Sequence, residues 1–260
     1  MDITTIYSFL PPDMRKNIKL FPEAVSTNSL LKTAAHHEED GTVYLALRQS
    51  GGRGRLGRSF FSPPGGIYLS VLMRPREGLV STVTARAALA VSDAVGEVCG
   101  IRPGIKWVND LILDGRKLGG ILVEGIASRG KITHAVIGVG LNVNTERFDG
   151  ETADIATSLL FSLGERVDRA HLAAALIRRL RELCEFWPKG SEEALREYRS
   201  RCVTLGREVS FTRDGVTARG VAEDIDADFA LTVRTQDGKR ERISFGEVSV
   251  LPYGLYYTRK

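Results

Sequence analysis

Residues 48–64 read R-Q-S-G-G-R-G-R-L-G-R-S-F-F-S-P-P, and this stretch separates several candidate folds from one another. Three of its arginines alternate with four glycines. Arginine presents a permanently charged, planar fork to carboxylate and phosphate oxygens, and glycine lets the backbone approach a ligand closely. Apolar runs at 43–47 and 67–73 flank the stretch. We therefore expect an anion-binding loop between two β-strands.

Two familiar phosphate-binding motifs match this loop in their letters only. Residues 52–57 spell G-x-G-x-x-G, and residues 52–59 differ from a P-loop by Arg58 at the lysine position. Both motifs work because a helix begins at the loop and directs its N–H groups at the phosphates. Here Pro-Pro-Gly-Gly at 63–66 and a second apolar strand follow instead. We therefore reject both a Rossmann domain and a P-loop domain.

The composition is that of an ordinary globular protein. The chain has 260 residues, 43% hydrophobic and 26% charged, which suffices for one large domain with a small one. A net charge of +4 is too small to argue for nucleic acid. Three cysteines without C-x-x-C spacing are typical of reduced thiols in the cytosol, and no apolar run approaches the roughly 20 residues of a membrane span. We expect a cytoplasmic protein without a signal peptide.

The hydrophobic pattern predicts an α+β fold with a mixed, largely antiparallel sheet. Helices are predicted at 26–40, 79–98, 168–187 and 191–202, and strands at 42–48, 67–74, 105–113, 117–126 and 132–144. Ser26 is the expected N-cap of the first helix. Asp114-Gly115 predicts a hairpin turn that makes strands 105–113 and 117–126 antiparallel neighbours. No element is predicted in the first 24 residues.

The character of the sequence changes after Gly206. Short strands are predicted at 208–211, 216–225, 230–234, 241–244 and 248–251. Asp237-Gly238 supplies a hairpin turn between two of them. Many short strands at this spacing predict a small β-barrel. We therefore divide the chain into a main domain at 1–203 and a barrel domain at 204–260.

Five short motifs in a fixed order resemble the biotin protein ligase family, biotin–[acetyl-CoA carboxylase] ligase. They are S-T-N at 26–28, R-Q-x-x-G-R-G-R-x-G-R at 48–58, K-W-x-N-D-L at 106–111, K-L-G-G-I-L-V-E at 117–124 and G-x-G-x-N-V-N at 138–144. G-E-V-S at 246–249 resembles the C-terminal barrel of that family. The resemblance implies a class II synthetase-like catalytic domain of the biotin–lipoate ligase type, followed by a Src-homology-3-like barrel.

The resemblance implies a reaction in two steps. Biotin and ATP would form biotinyl-5′-AMP and pyrophosphate, and a lysine of a biotin carboxyl carrier protein would then take the biotinyl group. That carrier would belong to acetyl-CoA carboxylase or a related carboxylase, Mg²⁺ would accompany ATP, and family precedent suggests a homodimer. About 25 residues precede Ser26, too few for a three-helix DNA-binding domain. We therefore expect no repressor activity and no nucleic-acid partner.

The resemblance also implies roles for individual residues. The expected catalytic residues are Lys117, Arg53 and Asp110, with Asp110 orienting the incoming lysine or lying near the Mg²⁺ that arrives with ATP. The expected biotin-binding residues are Ser26, Thr27, Asn28, Gln49, Arg53, Gly54, Arg55, Lys117, Gly119 and Gly120. The expected ATP- or adenylate-binding residues are Arg53, Arg55, Arg58, Lys106, Trp107, Asn109, Lys117 and Asn142. No fixed metal site in the protein is expected.

Several of these residues also have a purely structural interpretation. Ser26 could serve only as a helix cap, Asp110 as a turn cap and Trp107 as core packing. Arg58 could brace the loop through backbone carbonyls. Val108 departs from the family pattern, which usually has proline there, and Phe60 stands where tryptophan is usual. Neither departure removes a reacting group.

Three other functions stay open at this point. A lipoate ligase or lipoyl transferase shares a related catalytic fold, although the pairing of K-W-x-N-D with G-R-G-R favours biotin. A module that stores biotin or its adenylate would need no turnover, against which Lys117 argues. A nucleic-acid-binding module would need aromatic residues interleaved with the arginines, and these are missing.

Overall fold

A seven-stranded sheet forms the centre of the larger part of the molecule. In the computed structural model its strands follow the order β1-β2-β3-β7-β6-β5-β4. The strands are β1 (Ile18–Phe21), β2 (Val43–Ala46), β3 (Ile67–Met73), β4 (Gly104–Lys106), β5 (Asp110–Leu113), β6 (Arg116–Ser128) and β7 (Lys131–Leu141). Only β1 and β2 are parallel, and all other neighbours are antiparallel. The predicted mixed, largely antiparallel sheet is therefore confirmed.

The structure describes all residues except 76–79, 129–130, 187–190, 214, 245, 247 and 252–260. Three predicted positions lie outside the described residues: Leu79 and Trp187 at the ends of predicted helices, and Glu247 in the G-E-V-S motif. The last nine residues of the predicted barrel domain lie outside them as well. Within the described residues, no helix is both long and apolar enough to cross a bilayer.

Helices cover both faces of the central sheet. The helices of the larger part are α1 (Ile3–Ser8), α2 (Thr27–Ala34), α3 (Val80–Cys99), α4 (Leu159–Leu163), α5 (Arg169–Phe186) and α6 (Ser191–Arg201). Alternation along β3 separates the faces, because neighbouring strand residues point in opposite directions. Val71 joins the main core, whereas Leu72 packs with Leu31 of α2 in a smaller cluster. Helix α2 therefore lies on the face of the sheet opposite the main core.

Helix α2 is shorter than predicted. Ser26 caps it as expected, since its side chain accepts a hydrogen bond from the Ser29 amide. The prediction that the helix continues to residue 40 is wrong, because it ends at Ala34. Beyond that point the Glu38 side chain lies 2.5 Å from Lys19 Nζ and 2.7 Å from the Tyr44 hydroxyl. These contacts draw the following residues onto β1 and β2 and away from the helix axis.

The predicted single strand at 105–113 is two strands joined by a tight turn. Strands β4 and β5 pair antiparallel, with Gly104 opposite Ile112. Trp107 in the turn points inward: its backbone N–H donates to Thr204 Oγ1 (2.9 Å) and its indole N–H donates to the Phe229 carbonyl (2.8 Å). The turn contains no glycine or proline, so the apolar pattern alone predicts one continuous strand through it. The Asp114-Gly115 hairpin between β5 and β6 is confirmed, with positive φ at both residues.

The N-terminal residues contain elements that the sequence analysis did not predict. Helix α1 begins after Asp2, whose side chain accepts from the Thr5 amide (2.9 Å). Strand β1 has four residues, and of these only Ile18 is buried. A short edge strand with so little burial carries almost no alternating hydrophobic pattern. Its parallel pairing with β2 is consequently a tertiary feature.

A second, five-stranded antiparallel sheet follows α6. Its order is β11-β10-β9-β8-β12. The strands are β8 (Glu208–Arg213), β9 (Val216–Ile225), β10 (Leu231–Thr235), β11 (Arg240–Ile243) and β12 (Val248–Val250). The short strands predicted after Gly206 as a small β-barrel are confirmed as an antiparallel sheet. The domain boundary between residues 203 and 204 stays a prediction.

Two glycines on β6 provide a test of the packing between β6 and β7. A Cβ atom on Gly119 would lie 2.4 Å from the Gly140 carbonyl oxygen, whereas one on Gly125 would lie 3.5 Å from the Ile132 side chain. We expect Gly119→Ala to lower the free energy of unfolding by about 1–3 kcal/mol through overpacking. The matched control Gly125→Ala should change it by less than about 0.5 kcal/mol. Urea denaturation measures both, and equal effects would refute this account of the packing.

Candidate ligand-binding site

A cleft opens on the face of the central sheet that carries α2. It lies between the start of α2, the arginine loop, the β4–β5 hairpin and strands β6 and β7, and Val248 of the second sheet reaches its edge. The predicted site residues that line it are Ser26, Thr27, Asn28, Gln49, Arg53, Gly54, Arg55, Arg58, Lys106, Trp107, Asn109, Asp110, Lys117 and Gly120. The fold thus brings together motifs that lie more than ninety residues apart in sequence, since Ser26 and Gly120 both line the cleft.

Two predicted residues do not line the cleft. Gly119 faces the Gly140 carbonyl, as described above. Asn142 is buried, and its side-chain amide donates to the Thr157 carbonyl (3.1 Å). Within the part of the chain that the structure describes, Asn142 Oδ1 has no hydrogen-bond partner. Their predicted roles toward ligands stay predictions.

Several lining residues were not assigned to biotin, nucleotide or catalysis in the sequence analysis. They are Leu56, Ser59, Phe60, Ile121, Leu122, Val139, Gly140 and Val248. Most are strand residues whose apolar pattern looks the same whether they face the core or a ligand. A glycine within a strand is the clearer sequence indication of close approach. A Cβ atom on Gly140 would lie 2.5 Å from the Phe60 ring, so only glycine leaves room there.

The floor of the cleft is polar where α2 begins. Thr27 and Asn28 are buried, and the Thr27 backbone N–H donates to Gln49 Oε1 (2.9 Å). Asn28 Nδ2 donates to the Leu122 carbonyl (3.2 Å) and to Glu124 Oε2 (3.0 Å). Ser26 therefore both caps the helix and begins a buried polar surface. Such a surface suits a ligand with its own hydrogen-bonding groups, because buried polar groups require partners.

Burial by itself would raise the pKa of the Glu124 carboxyl, but neighbouring polar and charged groups lower it by more. Lys32 Nζ lies 2.6 Å from Glu124 Oε1, and Asn28 donates to the other oxygen. Arg53 adds a favourable charge nearby, and together these groups hold the pKa of Glu124 below its usual value. Glu124 is therefore an ionised acceptor at neutral pH.

Lys117 and Asp110 form an ion pair at the other side of the cleft. Lys117 Nζ lies 2.8 Å from Asp110 Oδ1, and about a third of the lysine side chain stays accessible. The lysine backbone is held on its other edge, where its N–H donates to the Ile155 carbonyl (2.8 Å). Gly120 lies beside the ion pair, where a Cβ atom would approach Asp110 Oδ1 to 3.3 Å and Lys117 Nζ to 3.7 Å. The result is an oriented amine that faces the cleft.

The arginine loop is folded against both sheets. Arg55 donates to Asn109 Oδ1 (2.9 Å) and to the Gly246 carbonyl (2.5 Å). The loop closes on itself through the Gly54 amide, which donates to the Arg58 carbonyl (2.7 Å). At its tip Leu56 has a positive φ and is 72% exposed. Arg55 thus makes the bracing contact to a backbone carbonyl that the sequence analysis considered for Arg58.

The charge of the cleft is strongly unbalanced. Its cationic lining residues are Arg53, Arg55, Arg58, Lys106 and Lys117, and its carboxylate is Asp110. A cleft with this excess of positive charge attracts polyanions such as nucleoside triphosphates. Among the described residues, no cluster of three or more histidines, cysteines, aspartates and glutamates is placed to hold a metal ion. A cation that accompanies a phosphate ligand would therefore meet Asp110, the carboxylate among the lining residues that the structure describes.

Comparison with known proteins relates this cleft to a family. The model of the Biotin/lipoate A/B protein ligase family matches residues 20–142, and that of the Biotin protein ligase C terminal domain matches residues 204–251. The chain is 33% identical to the Bifunctional ligase/repressor BirA of Bacillus subtilis, over 79% of this chain and 65% of that protein. The chain thus spans slightly less than two thirds of that relative.

Two further proteins match over most of their length. The Biotin--[acetyl-CoA-carboxylase] ligase of Mycobacterium tuberculosis is 32% identical over 90% of this chain and 88% of that protein. A solved structure, biotin protein ligase from Aquifex aeolicus in complex with biotin and ATP, superposes with a TM-score of 0.77. It is 30% identical and covers 90% of this chain and 98% of its own. Similarity of this extent, in both parts of the molecule, shows that the chain belongs to the biotin protein ligase family.

Proposed function

We propose that this protein is an ATP-dependent biotin protein ligase that acts through biotinyl-5′-AMP. The observation that carries the proposal is the cleft itself, where a polar floor at the start of α2 meets a cationic rim that includes Lys117. The floor suits the polar ring of biotin, and the rim suits a carboxylate next to a triphosphate. Family membership and the biotin and ATP complex of the Aquifex aeolicus relative support the same reading.

In the first proposed step, a biotin carboxylate oxygen attacks the α-phosphorus of ATP and pyrophosphate leaves. Two anionic groups must approach each other, so cations are needed where charge accumulates. Arg53 and Lys117 would contact the carboxylate and the α-phosphate, and Arg58 would add charge from the loop. Arg55 is braced on Asn109 and would carry the loop over the bound ligands.

In the second proposed step, the amine of a carrier lysine attacks the carbonyl carbon of the mixed anhydride. An amide forms, AMP leaves with the electrons of the broken C–O bond, and the amine loses a proton. Lys117 would again stabilise the charge on the leaving phosphate. The Asp110 carboxylate lies 2.8 Å from the Lys117 amine. It would therefore also orient a carrier lysine whose amine approaches beside Lys117.

Mg²⁺ fits this cleft as a companion of ATP. Mg²⁺ commonly keeps waters and binds one or two carboxylates together with substrate phosphates. Among the described lining residues Asp110 is the carboxylate that would join such an arrangement, while it also pairs with Lys117. Bound there, the metal would neutralise phosphate charge, while the residues of the chain position the reacting atoms.

The natural acceptor would be a biotin carboxyl carrier protein of acetyl-CoA carboxylase or a related carboxylase. The name of the Mycobacterium tuberculosis relative supports this choice. A homodimer, a cytoplasmic location and the lack of repressor activity stay predictions. We also propose that residues 1–203 and 204–260 form separate domains that share the cleft.

The direct test measures pyrophosphate release and carrier labelling. With biotin and ATP we expect pyrophosphate release, and with an added carrier domain we expect ATP-dependent biotinylation on a streptavidin blot. Lipoate in place of biotin should give little release, because its dithiolane offers no N–H or carbonyl to the polar floor. Release with lipoate but not biotin would replace the proposal by lipoate ligation, and binding without release would indicate a storage module.

Lys117→Ala should lower adenylate formation at least about 100-fold, because a cation directed at developing charge contributes that much in comparable sites. Circular dichroism should show an unchanged fold, since about a third of the lysine side chain is exposed. Lys131→Ala is the matched control, as this lysine is an exposed residue at the start of β7. Full pyrophosphate release by the Lys117→Ala variant would contradict the assignment.

The loop at residues 51–59 should become protected from trypsin when biotin and ATP bind. Its glycines leave the backbone much freedom to lose, and its arginines are natural cleavage points. We expect cleavage after Arg53, Arg55 or Arg58 to slow at least about fivefold with both ligands present, a change that loop ordering of about 1 kcal/mol would produce. Mass spectrometry locates the cuts. The same cleavage rate with and without ligands would count against loop closure.

A further inference from the structure

Two polar residues lie beneath the cleft without lining it. Ser70 of β3 is fully buried, and its hydroxyl oxygen lies 2.6 Å from Asn28 Oδ1 and 2.8 Å from Thr27 Oγ1. Glu124 of β6 lies 3.0 Å from Asn28 Nδ2. Neither residue was singled out by the sequence analysis as a site residue. Both contact residues that do line the cleft, so they can act only through them.

The donors and acceptors in this network allow one arrangement of hydrogens. Glu124 is ionised and can only accept, as can the Leu122 carbonyl, so the group of Asn28 that faces them is its NH₂. Asn28 Oδ1 must therefore face Ser70. An amide oxygen can only accept, so the single hydroxyl hydrogen of Ser70 points at Asn28. Ser70 then has only lone pairs left for Thr27. The Thr27 hydroxyl therefore donates to Ser70 (2.8 Å) and not to Gln49 Oε1, which lies farther away at 3.2 Å.

The other end of the network is fixed in the same way. Ser62 Oγ donates to the Phe60 carbonyl (2.9 Å), so it must accept from Gln49 Nε2 (3.0 Å). Gln49 Oε1 accordingly accepts from the Thr27 backbone N–H (2.9 Å). These bonds use one of the two amide hydrogens of Gln49. Thr27 Oγ1 directs its own hydrogen at Ser70, so its lone pairs can accept a hydrogen bond from a ligand.

We propose that Ser70 and Glu124 are positioning residues that orient Thr27 and Asn28 so that the cleft floor recognises a cyclic urea. Thr27 then offers an acceptor and Gln49 a donor, both on residues that line the cleft. A cyclic urea carries N–H groups next to a carbonyl and complements this pair, whereas a dithiolane does not. The inference rests on the proposed function, because the ureido ring of biotin is the urea in question.

Lys32 completes the arrangement, since its ammonium group lies 2.6 Å from Glu124 Oε1. The ion pair keeps the carboxylate charged and therefore unable to donate. Gly138 keeps Asn28 in position, because a Cβ atom on Gly138 would lie 2.1 Å from Asn28 Oδ1. Asn28 thus lies between the β7 backbone and two polar partners, with one amide orientation open to it.

The test measures the Kd of biotin and of desthiobiotin, which keeps the ureido ring and lacks the thioether ring, by calorimetry without ATP. We expect Ser70→Ala and Glu124→Gln to weaken both ligands by about the same factor, at least about tenfold, since each leaves a buried group without its partner. In turnover the KM for biotin should rise, while kcat and the KM for ATP stay within about twofold of wild type.

Two matched controls separate positioning from general stability. Ser92 is also a fully buried serine, its hydroxyl donates to the Pro103 carbonyl (2.8 Å), and neither residue lines the cleft. Glu38 pairs with Lys19 and Tyr44 at a burial close to that of Glu124. Ser92→Ala and Glu38→Gln should leave both Kd values within about twofold of wild type, whatever they do to stability.

A double-mutant cycle tests whether Ser70 acts through Thr27. If it does, the loss in Thr27→Val with Ser70→Ala should be clearly smaller than the product of the single losses, because the two residues share one hydrogen bond. The inference would be overturned if the affinity loss of the double variant equalled the product of the two single losses. It would also be overturned if the Kd of Ser70→Ala equalled that of Ser92→Ala. If Ser70→Ala does not fold, Glu124→Gln carries the same comparison against Glu38→Gln. Failure of wild-type turnover would instead overturn the proposed ligase activity and leave the ureido-binding comparison intact.

Discussion

Glycines at positions 120, 138 and 140 leave gaps in the layer of side chains on the sheet beneath the cleft, and the site depends on these gaps. A Cβ atom on Gly138 would strike Asn28, and one on Gly140 would strike the Phe60 ring. Both α2 and the arginine loop therefore lie directly on backbone. Because their approach is so close, the polar groups at the start of α2 become a buried surface. The same closeness brings Phe60 over the sheet as an apolar wall.

The second constraint is the burial of Trp107 between the two sheets. Its indole donates to the carbonyl of Phe229, and Phe229 packs edge-on against Tyr198 of α6 at 5.4 Å. Phe229 has a positive φ, which is unfavourable for a non-glycine residue, and its side chain is nevertheless almost fully buried. The packing of its ring and the accepted hydrogen bond offset that cost. The β4–β5 hairpin, which carries Asn109 and Asp110, is thereby attached to the second sheet.

Charge and hydrogen bonding divide the cleft into two regions. Cations gather around the Lys117–Asp110 pair, whereas the start of α2 offers neutral donors and acceptors in a fixed order. A ligand that is neutral and polar at one end and anionic at the other would match both regions at once. Arg55 ties the loop over this boundary to Asn109 and to the Gly246 carbonyl. The second sheet therefore helps to define a cleft whose other residues come from α2, the arginine loop, the β4–β5 hairpin and strands β6 and β7.

Local chemistry in the sequence determined much of this molecule. Ser26 marks a helix start by its capping oxygen, Asp114-Gly115 marks a hairpin by its positive φ angles, and the exit of the arginine loop into a strand excludes helix-based phosphate sites. These features act over a few residues, so their patterns can be read directly. The motif order likewise sufficed to indicate the family and most of the residues that line the cleft.

Only the tertiary structure decided the features that depend on distant partners. Ser70 meets Thr27 across 43 positions and Asn28 meets Glu124 across 96, so no local pattern announces either contact. The turn at Trp107 depends on partners near residues 204 and 229. Strand β1 acquires its parallel neighbour only when the sheet forms. The physical reason is common to all of them: hydrogen-bond direction and close packing are properties of pairs, and a sequence shows one member at a time.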